Sequence, residues 1–582
     1  MARTHSRTLR LSPNALTVLR RRYLEKNADG KPFETPSQLF RRVADNVAQA
    51  ERLYGGSRRT VTRISDTFYN LMARLEFLPN SPTLMNAGRD LQQLSACFVL
   101  PVEDSLESIF DSIKHQALIH QSGGGTGFSF SHLRPKDDRV ASTSGVASGP
   151  ISFMRVFNMA TEVIKQGGAR RGANMGILRV DHPDILNFIA AKQNPAELTN
   201  FNISVGLTDA FMRALERGQD YALMNPRTGR TAGRLNAASV FDRIVEAAWS
   251  TGEPGVIFLD TINAHNPTPH IGRIESTNPC GEQPLLAYES CTLGSLNLAR
   301  FVAGPPKNQA LDFEQLAVAT IHAVRFLDNV LDMNQYPLPE IAAITKGNRK
   351  IGLGVMGFAD LLIKLGIPYD SAEALAVGEQ VMQFIQEHSH AASAELARAR
   401  GTFPNFKGSR LESDGQRLRN ATVTTVAPTG TISIIADCSP GIEPLYGVSY
   451  ARTVMDSVRL TSLHPEFVRR ARAAGIYSLH LAAKVAANES IQDLADIPAD
   501  LRRLFVTAHD IAPAHHVRMQ AVFQRYSDSG VSKTINLPAK ATKADVAAAF
   551  TLAYQLGCKG LTVFRTGSRE HQVLSCTNVQ YC

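Results

Sequence analysis

The stretch Ser276-Thr-Asn-Pro-Cys-Gly-Glu-Gln-Pro-Leu-Leu-Ala-Tyr-Glu-Ser-Cys-Thr-Leu-Gly-Ser-Leu-Asn-Leu298 decides how the rest of the chain is read. It packs two cysteines, a carboxylate and an amide into a turn-rich segment. Asn278, Cys280 and Glu282 alternate, so an extended backbone would send their side chains to one side. Pro279 lacks a backbone donor, and Gly281 tolerates unusual backbone angles beside the thiol. A carboxylate two residues from a thiol raises the thiol pKa by like-charge repulsion, which disfavours a thiolate nucleophile at Cys280. It does not hinder a neutral thiol that loses a hydrogen atom. The pairing points to one-electron sulfur chemistry beside a carboxylate base.

Size and composition narrow the setting. A chain of 582 residues suits one large domain with attachments, or two to four smaller ones. No apolar run is long enough to span a bilayer. The seven cysteines, at 97, 280, 291, 438, 558, 576 and 582, are dispersed and odd in number. That argues for a reducing, cytoplasmic compartment and against a disulfide scaffold. No Cys-x-x-Cys occurs, so a zinc ribbon has no support. The net charge of +9 is spread along the chain, without an aromatic-interleaved basic run and with one Trp. Phosphorylated small molecules are favoured over nucleic acid or a membrane surface.

Along the chain, Ser12 caps a helix with Pro13 at its first position, and further helices are expected at about Pro36–Ala50 and Ile64–Phe77. Leu78 to Gly88 reads as a Pro/Asn/Gly-punctuated loop. The alternation around Cys97 reads as a strand, and helix and strand signals then alternate, which argues for an α/β architecture. Residues Phe313–Asn334 and Ala372–Arg400 read as helical, the latter as one long helix or a pair. Thr422–Val426 is a β-branched strand running into Ala427-Pro-Thr-Gly-Thr-Ile-Ser433, a turn suited to phosphate. Residues 455–530 read as mostly helical. His515 and His516 are adjacent and share no helix face, so they are not read as a metal site. Gly352, Gly354 and Gly357 form a Gly-x-Gly-x-x-Gly string, on which a rival reading rests: a nicotinamide-dependent oxidoreductase. No convincing strand precedes the string, which counts against it.

The Asn-x-Cys-x-Glu core, with Cys291 before Thr-Leu-Gly-Ser-Leu-Asn-Leu298, resembles the active-site loop of the ribonucleotide reductases. The resemblance extends over nearly the whole chain. It implies a ten-stranded α/β barrel of the ribonucleotide reductase and glycyl-radical type, with a helical N-terminal region at 1–77, the barrel with effector-specificity loops at 78–570, and a C-terminal tail at 571–582. It implies that Cys280 becomes a thiyl radical that takes the ribose 3′ hydrogen, with Glu282 as base on the 3′ hydroxyl and Asn278 bonding the sugar. Cys97, in Leu94-Ser-Ala-Cys-Phe-Val-Leu-Pro101, would pair with Cys291 as the reducing dithiol. Ser81, Ala96, Gly124 and the turn Pro428, Thr429, Gly430, Thr431 and Ile432 match substrate-contacting positions. Asp104 matches an effector contact. Gln166-Gly-Gly-Ala-Arg-Arg-Gly-Ala-Asn-Met-Gly176 looks like the loop that relays effector identity to the base, with Gln166, Arg170 and Arg171 as candidates. Residues 137–150 look like its companion loop.

The family needs a radical source. The chain has no glycyl-radical motif of Arg-Val-x-Gly-Tyr type and no adjacent tyrosines, which leaves adenosylcobalamin, as in the class II enzymes that Leu11-Ser-Pro-Asn-Ala-Leu-Thr-Val-Leu19 also resembles. No metal ligands are assigned. The expected reaction converts ribonucleotides, as diphosphates, to 2′-deoxyribonucleotides, with dNTP or ATP effectors, a thioredoxin-like reductant and a homodimer. Nothing precedes residue 11 at a length that would hold an ATP-cone domain. Cys576 and Cys582 are more widely spaced than the usual re-reducing pair, and the tail reads as that of a truncated form or of half of a split enzyme. Cys438 is read as structural.

Overall fold

Ser12 and Pro13 start the first helix as their chemistry dictates. The Ser12 hydroxyl accepts from the Ala15 amide at 3.2 Å and Pro13 fills the first turn of α1 (Pro13–Arg22). Thr35 and Gln38 form a reciprocal capping box on α2 (Pro36–Ala48), which continues as a 3₁₀ turn to Tyr54. Helix α3 (Arg58–Ala73) begins earlier than its apolar pattern suggests, because Ser57 caps it, and it ends before Phe77, which opens strand β1 (Phe77–Pro79). The segment expected as a loop holds a short helix, α4 (Ser81–Asn86), capped by the Asn80 side chain at 2.9 Å. The computed structural model describes residues 9–140, 145–164, 172–305, 308–454, 458–488, 490–568 and 574–575.

The barrel then assembles in two halves. Strand β2 (Cys97–Leu100), helix α5 (Leu106–Gln121) and strand β3 (Gly125–Ser129) are followed by a small hairpin of β4 (Arg139–Val140) and β5 (Gly145–Val146) and by helix α6 (Pro150–Val163). Strands β6 (Asn174–Arg179) and β7 (Phe201–Leu207) come next, then the hairpin β8 (Asp220–Met224) and β9 (Thr231–Asn236), then β10 (Gly255–Phe258). Strands β2, β3, β6, β7 and β10 are mutually parallel. A third hairpin, β11 (Ser276–Thr277) with β12 (Pro284–Leu285), leads into β13 (Ser290–Asn297). The hairpin β14 (Val302–Ala303) and β15 (Ala310–Leu311) precedes the helix Phe313–Met333, and β16 (Ile351–Met356) runs parallel to β13. The helix Ala372–Arg400 is single and 29 residues long. The region 455–530 is helical from Pro465 on, but its first described stretch is the strand β18 (Val458–Leu463), paired antiparallel with β17 (Ser449–Val454). Strands β19 (Thr534–Leu537) and β20 (Gly560–Arg565) are parallel to each other.

Two antiparallel seams join the halves, β2 with β13 and β10 with β20, and the sheet counts ten strands. The expected strand at Thr422–Val426 is reduced to two isolated bridges, Leu353 with Thr424 and Val426 with Val531, and these close the ring between β16 and β19. The result is a ten-stranded α/β barrel. Phe68, Phe77, Leu327, Val355 and Met382 share the apolar core that fastens the N-terminal helices to the second half. Phe128, Phe157, Phe201, Val256 and Phe550 share the core outside the first half.

Gly352 and Gly354 lie inside β16, not at a strand-to-helix turn. A Cβ on Gly352 would meet the Gln283 side chain at 2.7 Å, and one on Gly354 would meet the Thr425 carbonyl oxygen at 2.2 Å. These glycines answer packing within the barrel rather than a dinucleotide phosphate.

Candidate active site

The connection between the two halves passes through the barrel. After β10 the chain runs out as β11, turns at Asn278–Gln283 and returns as β12. Gly281, at φ +82°, donates its amide to the Asn278 carbonyl at 3.1 Å, and the Gln283 amide donates to the Asn278 side chain at 2.9 Å. Glycines on the surrounding strands make room. A Cβ on Gly127 would sit 1.8 Å from the Thr277 carbonyl oxygen, and one on Gly125 3.0 Å from the Pro279 ring. Asn202 of β7 donates to the Pro279 carbonyl at 2.8 Å. From the second half, Gly530 and the Thr425 hydroxyl donate to the Glu282 carbonyl at 2.7 and 3.0 Å.

The return limb is held by charge. Glu289 is fully buried and accepts from the Leu286 amide at 2.8 Å, from Asn348 at 2.7 Å and from Lys350 at 2.7 Å. Lys559, also buried, donates to the Asp528 and Ser529 carbonyls at 2.6 and 2.9 Å, behind the turn that carries Gly530. Burial lowers the Lys559 pKa to about 8, against the attraction of Asp528.

Cys97 and Cys291 lie directly opposite each other across the β2/β13 seam. Opposed residues of an antiparallel pair have Cα atoms about 4.5–5.5 Å apart, within the reach of a disulfide. Neither is in a disulfide here. Burial, with the Cys97 sulfur hydrogen-bonded beside it, pushes the Cys291 thiol well above its ordinary range, and the Glu282 charge adds to the shift. Cys291 is therefore stored as a protonated thiol. Asn278 donates to the Cys97 sulfur at 3.2 Å.

The alternation expected at 278, 280 and 282 does not survive the turn. Asn278 and Glu282 are buried on the dithiol side, whereas Cys280, at the tip, is exposed. It lines a cavity of about 450 Å³ together with Asn202, Ser204, Pro428, Tyr446, Gln520 and Lys533. Lys533 is ion-paired with Glu443 at 2.8 Å on this wall. Of these lining residues only Pro428 is a sequence candidate. Nothing in a lone lysine such as Lys533 or Lys559 marks it as buried.

The other candidates divide. Ala96 packs in one small apolar cluster with Cys97, Cys291 and Ala427, at the root of the phosphate-suited turn. In that turn Thr429 takes φ +52° and accepts from the Gly441 amide at 2.8 Å, Gly430 is exposed, and Thr431 precedes the short helix Ile432–Ala436 that Ile432 opens. Gly124 is buried under Phe98 and Ile119. Ser81 bonds the Tyr23 hydroxyl at 2.7 Å and does not line the cavity. Asp104 is paired with Arg134 at 2.8 Å, away from the cavity. Gln166, Arg170, Arg171, Cys576 and Cys582 lie outside the described residues. Among the described residues, no three His, Cys, Asp or Glu side chains converge as metal ligands, and no helix is long and apolar enough to cross a membrane. His515 and His516 instead bond the carbonyls of Tyr369 and Ala508, at 3.0 and 2.9 Å.

Comparison with known proteins agrees with this geometry. The family described as ribonucleotide reductase, all-alpha domain, matches residues 9–92, and ribonucleotide reductase, barrel domain, matches 95–417 and 411–564. A vitamin B12-dependent ribonucleoside-diphosphate reductase of Thermoplasma acidophilum is 49% identical over 97% of this chain and 80% of its own length. One of Mycobacterium tuberculosis is 52% identical over 97% of this chain and 81% of its own length. The fold matches the class Id ribonucleotide reductase alpha subunit of Actinobacillus ureae with a TM-score of 0.78, over 96% of this chain and 97% of that one, at 22% identity. With cysteines paired across the seam of a ten-stranded barrel and a third on the loop inside it, the chain belongs to the ribonucleotide reductase family.

Proposed function

We propose that the protein reduces ribonucleoside diphosphates to 2′-deoxyribonucleotides by thiyl-radical chemistry. The observation that carries the reading is the cross-strand pairing of Cys97 and Cys291 beside the loop that presents Cys280 to the cavity. Cys280, as a thiyl, takes the 3′ hydrogen, and Glu282 takes the 3′ hydroxyl proton. The 2′ hydroxyl leaves as water with a proton from the dithiol. Cys97 and Cys291 supply two electrons and finish as a disulfide, and Cys280 returns its hydrogen to C3′. The net change is one ribonucleotide and two thiols to one deoxyribonucleotide, one disulfide and one water. The turn Pro428–Ile432 is the candidate for the phosphates, Ala96 and Gly124 for the wall beside the sugar, and Ser81 for a contact reached through α4.

The cofactor is adenosylcobalamin, which when bound supplies the one-electron oxidising equivalent from its cobalt–carbon bond. The cavity suits the adenosyl end of such a group. Gly281 faces open space, where an added Cβ would meet nothing within 4 Å, and Gly252, Gly255 and Gly560 line the wall. Asn202, Tyr446, Gln520 and Lys533 are the residues that would hold it.

Helices α5 and α6 expose Leu106 (66%), Phe110 (53%), Met159 (62%) and Val163 (73%), a face suited to a second copy of the chain. Asp104, with Gln166, Arg170 and Arg171, would take a dNTP or ATP effector. A thioredoxin-like protein would restore the dithiol in the cytoplasm. The test is turnover of ribonucleoside diphosphates by the purified protein with adenosylcobalamin and dithiothreitol, with and without dNTPs. Deoxynucleotide formation is expected, and Cys280→Ala abolishes it. Turnover that required an added metal-radical subunit would overturn the cofactor assignment. Sedimentation of wild type against Phe110→Glu tests the dimer.

A further inference from the structure

Between the outer helices and strand β3 lies a chain of buried hydrogen bonds that the chemistry above does not use. His120 and Gln116 come from α5, Thr161 from α6, Thr126 from β3 and Asn174 from β6, and each is at most 3% exposed. The Thr126 hydroxyl donates to the Asn174 side-chain oxygen at 2.6 Å. Its one proton is thereby used, so it accepts from His120 Nε2 at 3.0 Å. Asn174 Nδ2 donates to the Thr161 hydroxyl at 2.8 Å, and that hydroxyl donates to the Phe157 carbonyl at 2.9 Å. Gln116 donates to both Thr161 and the Phe157 carbonyl. Every hydroxyl proton has one destination, so the chain has a single direction and no slack.

The inner end of this chain meets the catalytic loop. Thr126 points outward from β3, so its neighbours Gly125 and Gly127 point inward. Those are the glycines against which Pro279 and Thr277 rest. Gly125 is also in register with Cys97 on β2. At the same end Gly172 lies against His120, where a Cβ would come within 2.6 Å of the ring. A rotation of Thr126 or a shift of β3 by a fraction of an ångström moves the surface on which the loop lies.

We propose that His120, Thr126, Asn174, Thr161 and Gln116 form a positioning network that fixes strand β3, and with it the outgoing limb of the catalytic loop, relative to helices α5 and α6. None of the five touches the reacting atoms. The network makes the seating of the α5/α6 face a determinant of where Cys280 sits. It deepens the reductase reading, yet its first test does not depend on that reading.

The test is hydrogen exchange, by mass spectrometry, of residues 276–290 in the full chain. Thr126→Val keeps the shape and removes the hydroxyl. It is expected to speed exchange across 276–290 by about five-fold, the scale of one lost net hydrogen bond, while β7 and β10 are unchanged. Thr126→Ser restores the hydroxyl and the wild-type rate. If Thr126→Val yields too little folded protein, Thr161→Val, further out along the chain, carries the same measurement. Wild-type exchange across 276–290 in the folded variants would overturn the proposal. So would acceleration confined to α5, α6, β3 and β6, which a merely structural role gives. Turnover is the second readout: kcat falls with KM unchanged, and Thr126→Ser restores it. A wild-type protein that reduced no ribonucleotide would count against the proposed function and leave the exchange result standing.

Discussion

Strands β2 to β10 meet the outgoing limb of the Cys280 loop through glycine and amide contacts, whereas β13 to β20 and the segments between them meet its return limb with buried charge. On the first side Gly125, Gly127 and Asn202 supply close van der Waals contact and one neutral hydrogen bond. On the second, Glu289 is locked by Lys350, and Lys559 braces the turn that backs Glu282. Close packing sets how near the loop can come. Buried ions set where it must stop, because each needs its partner in one place. The loop is thus laid against one wall and bolted to the other, with Cys280 at the bend between them.

Four changes would break or sharpen this contrast. The largest effect is expected at the seam itself. Cys291→Ser or Cys97→Ser removes half of the dithiol, and steady-state turnover should fall by about three orders of magnitude, as when one member of a cooperating set is lost. Appreciable multiple turnover by either variant would show that the pair is not the reductant. Next comes the bolt. Lys350→Met leaves the Glu289 carboxylate buried without its cation and should cost about 3–5 kcal/mol in urea unfolding. The double change with Glu289→Leu should recover most of that loss. A cost in the single variant no larger than that of an exposed ion pair would refute the role given to charge.

Lys559 offers a pH signature. Unfolded, it keeps its proton up to the usual 10.5, while in the folded protein burial lowers the value to about 8. Between those values the unfolded chain binds more protons, so stability rises with pH there, by about 3 kcal/mol across the window. Below pH 8 the buried charge is a standing cost. Lys559→Met should flatten this rise, read as the difference between the melting temperatures of the two proteins at each pH. An unchanged rise would show that another group titrates. The smallest effect is on the glycine wall. Gly127→Ala should cost about 1–3 kcal/mol by overpacking and displace Thr277. Gly233→Ala is the control, since its nearest neighbour would be 4.0 Å away.

Much of this was legible in the residues. Ser12 and Pro13 fix a helix start by local chemistry, and the alternation around Cys97 marks its strand. The pattern around Cys280 and Cys291 was distinctive enough to carry the whole fold by resemblance. The misses share a cause in tertiary packing. Ile351–Met356 looks unlike a strand because two of its residues are glycine, and those glycines are demanded by neighbours distant in sequence. Thr422–Val426 looks like a good strand, but it joins the sheet through only two bridges. Periodicity put Asn278, Cys280 and Glu282 on one side, and the turn at Gly281 separated them. The buried lysines carry no local mark, since burial of a charge is decided by partners elsewhere.

The segment bearing Cys280 is also the link between the two half-barrels. Its surroundings come from both: glycines of one, donors to the Glu282 carbonyl and ions of the other. An isolated half would therefore own part of the lining and none of the chemistry. On the proposed mechanism the radical at Cys280 needs the closed ring, so a chain that has not finished folding has no place in which to hold one.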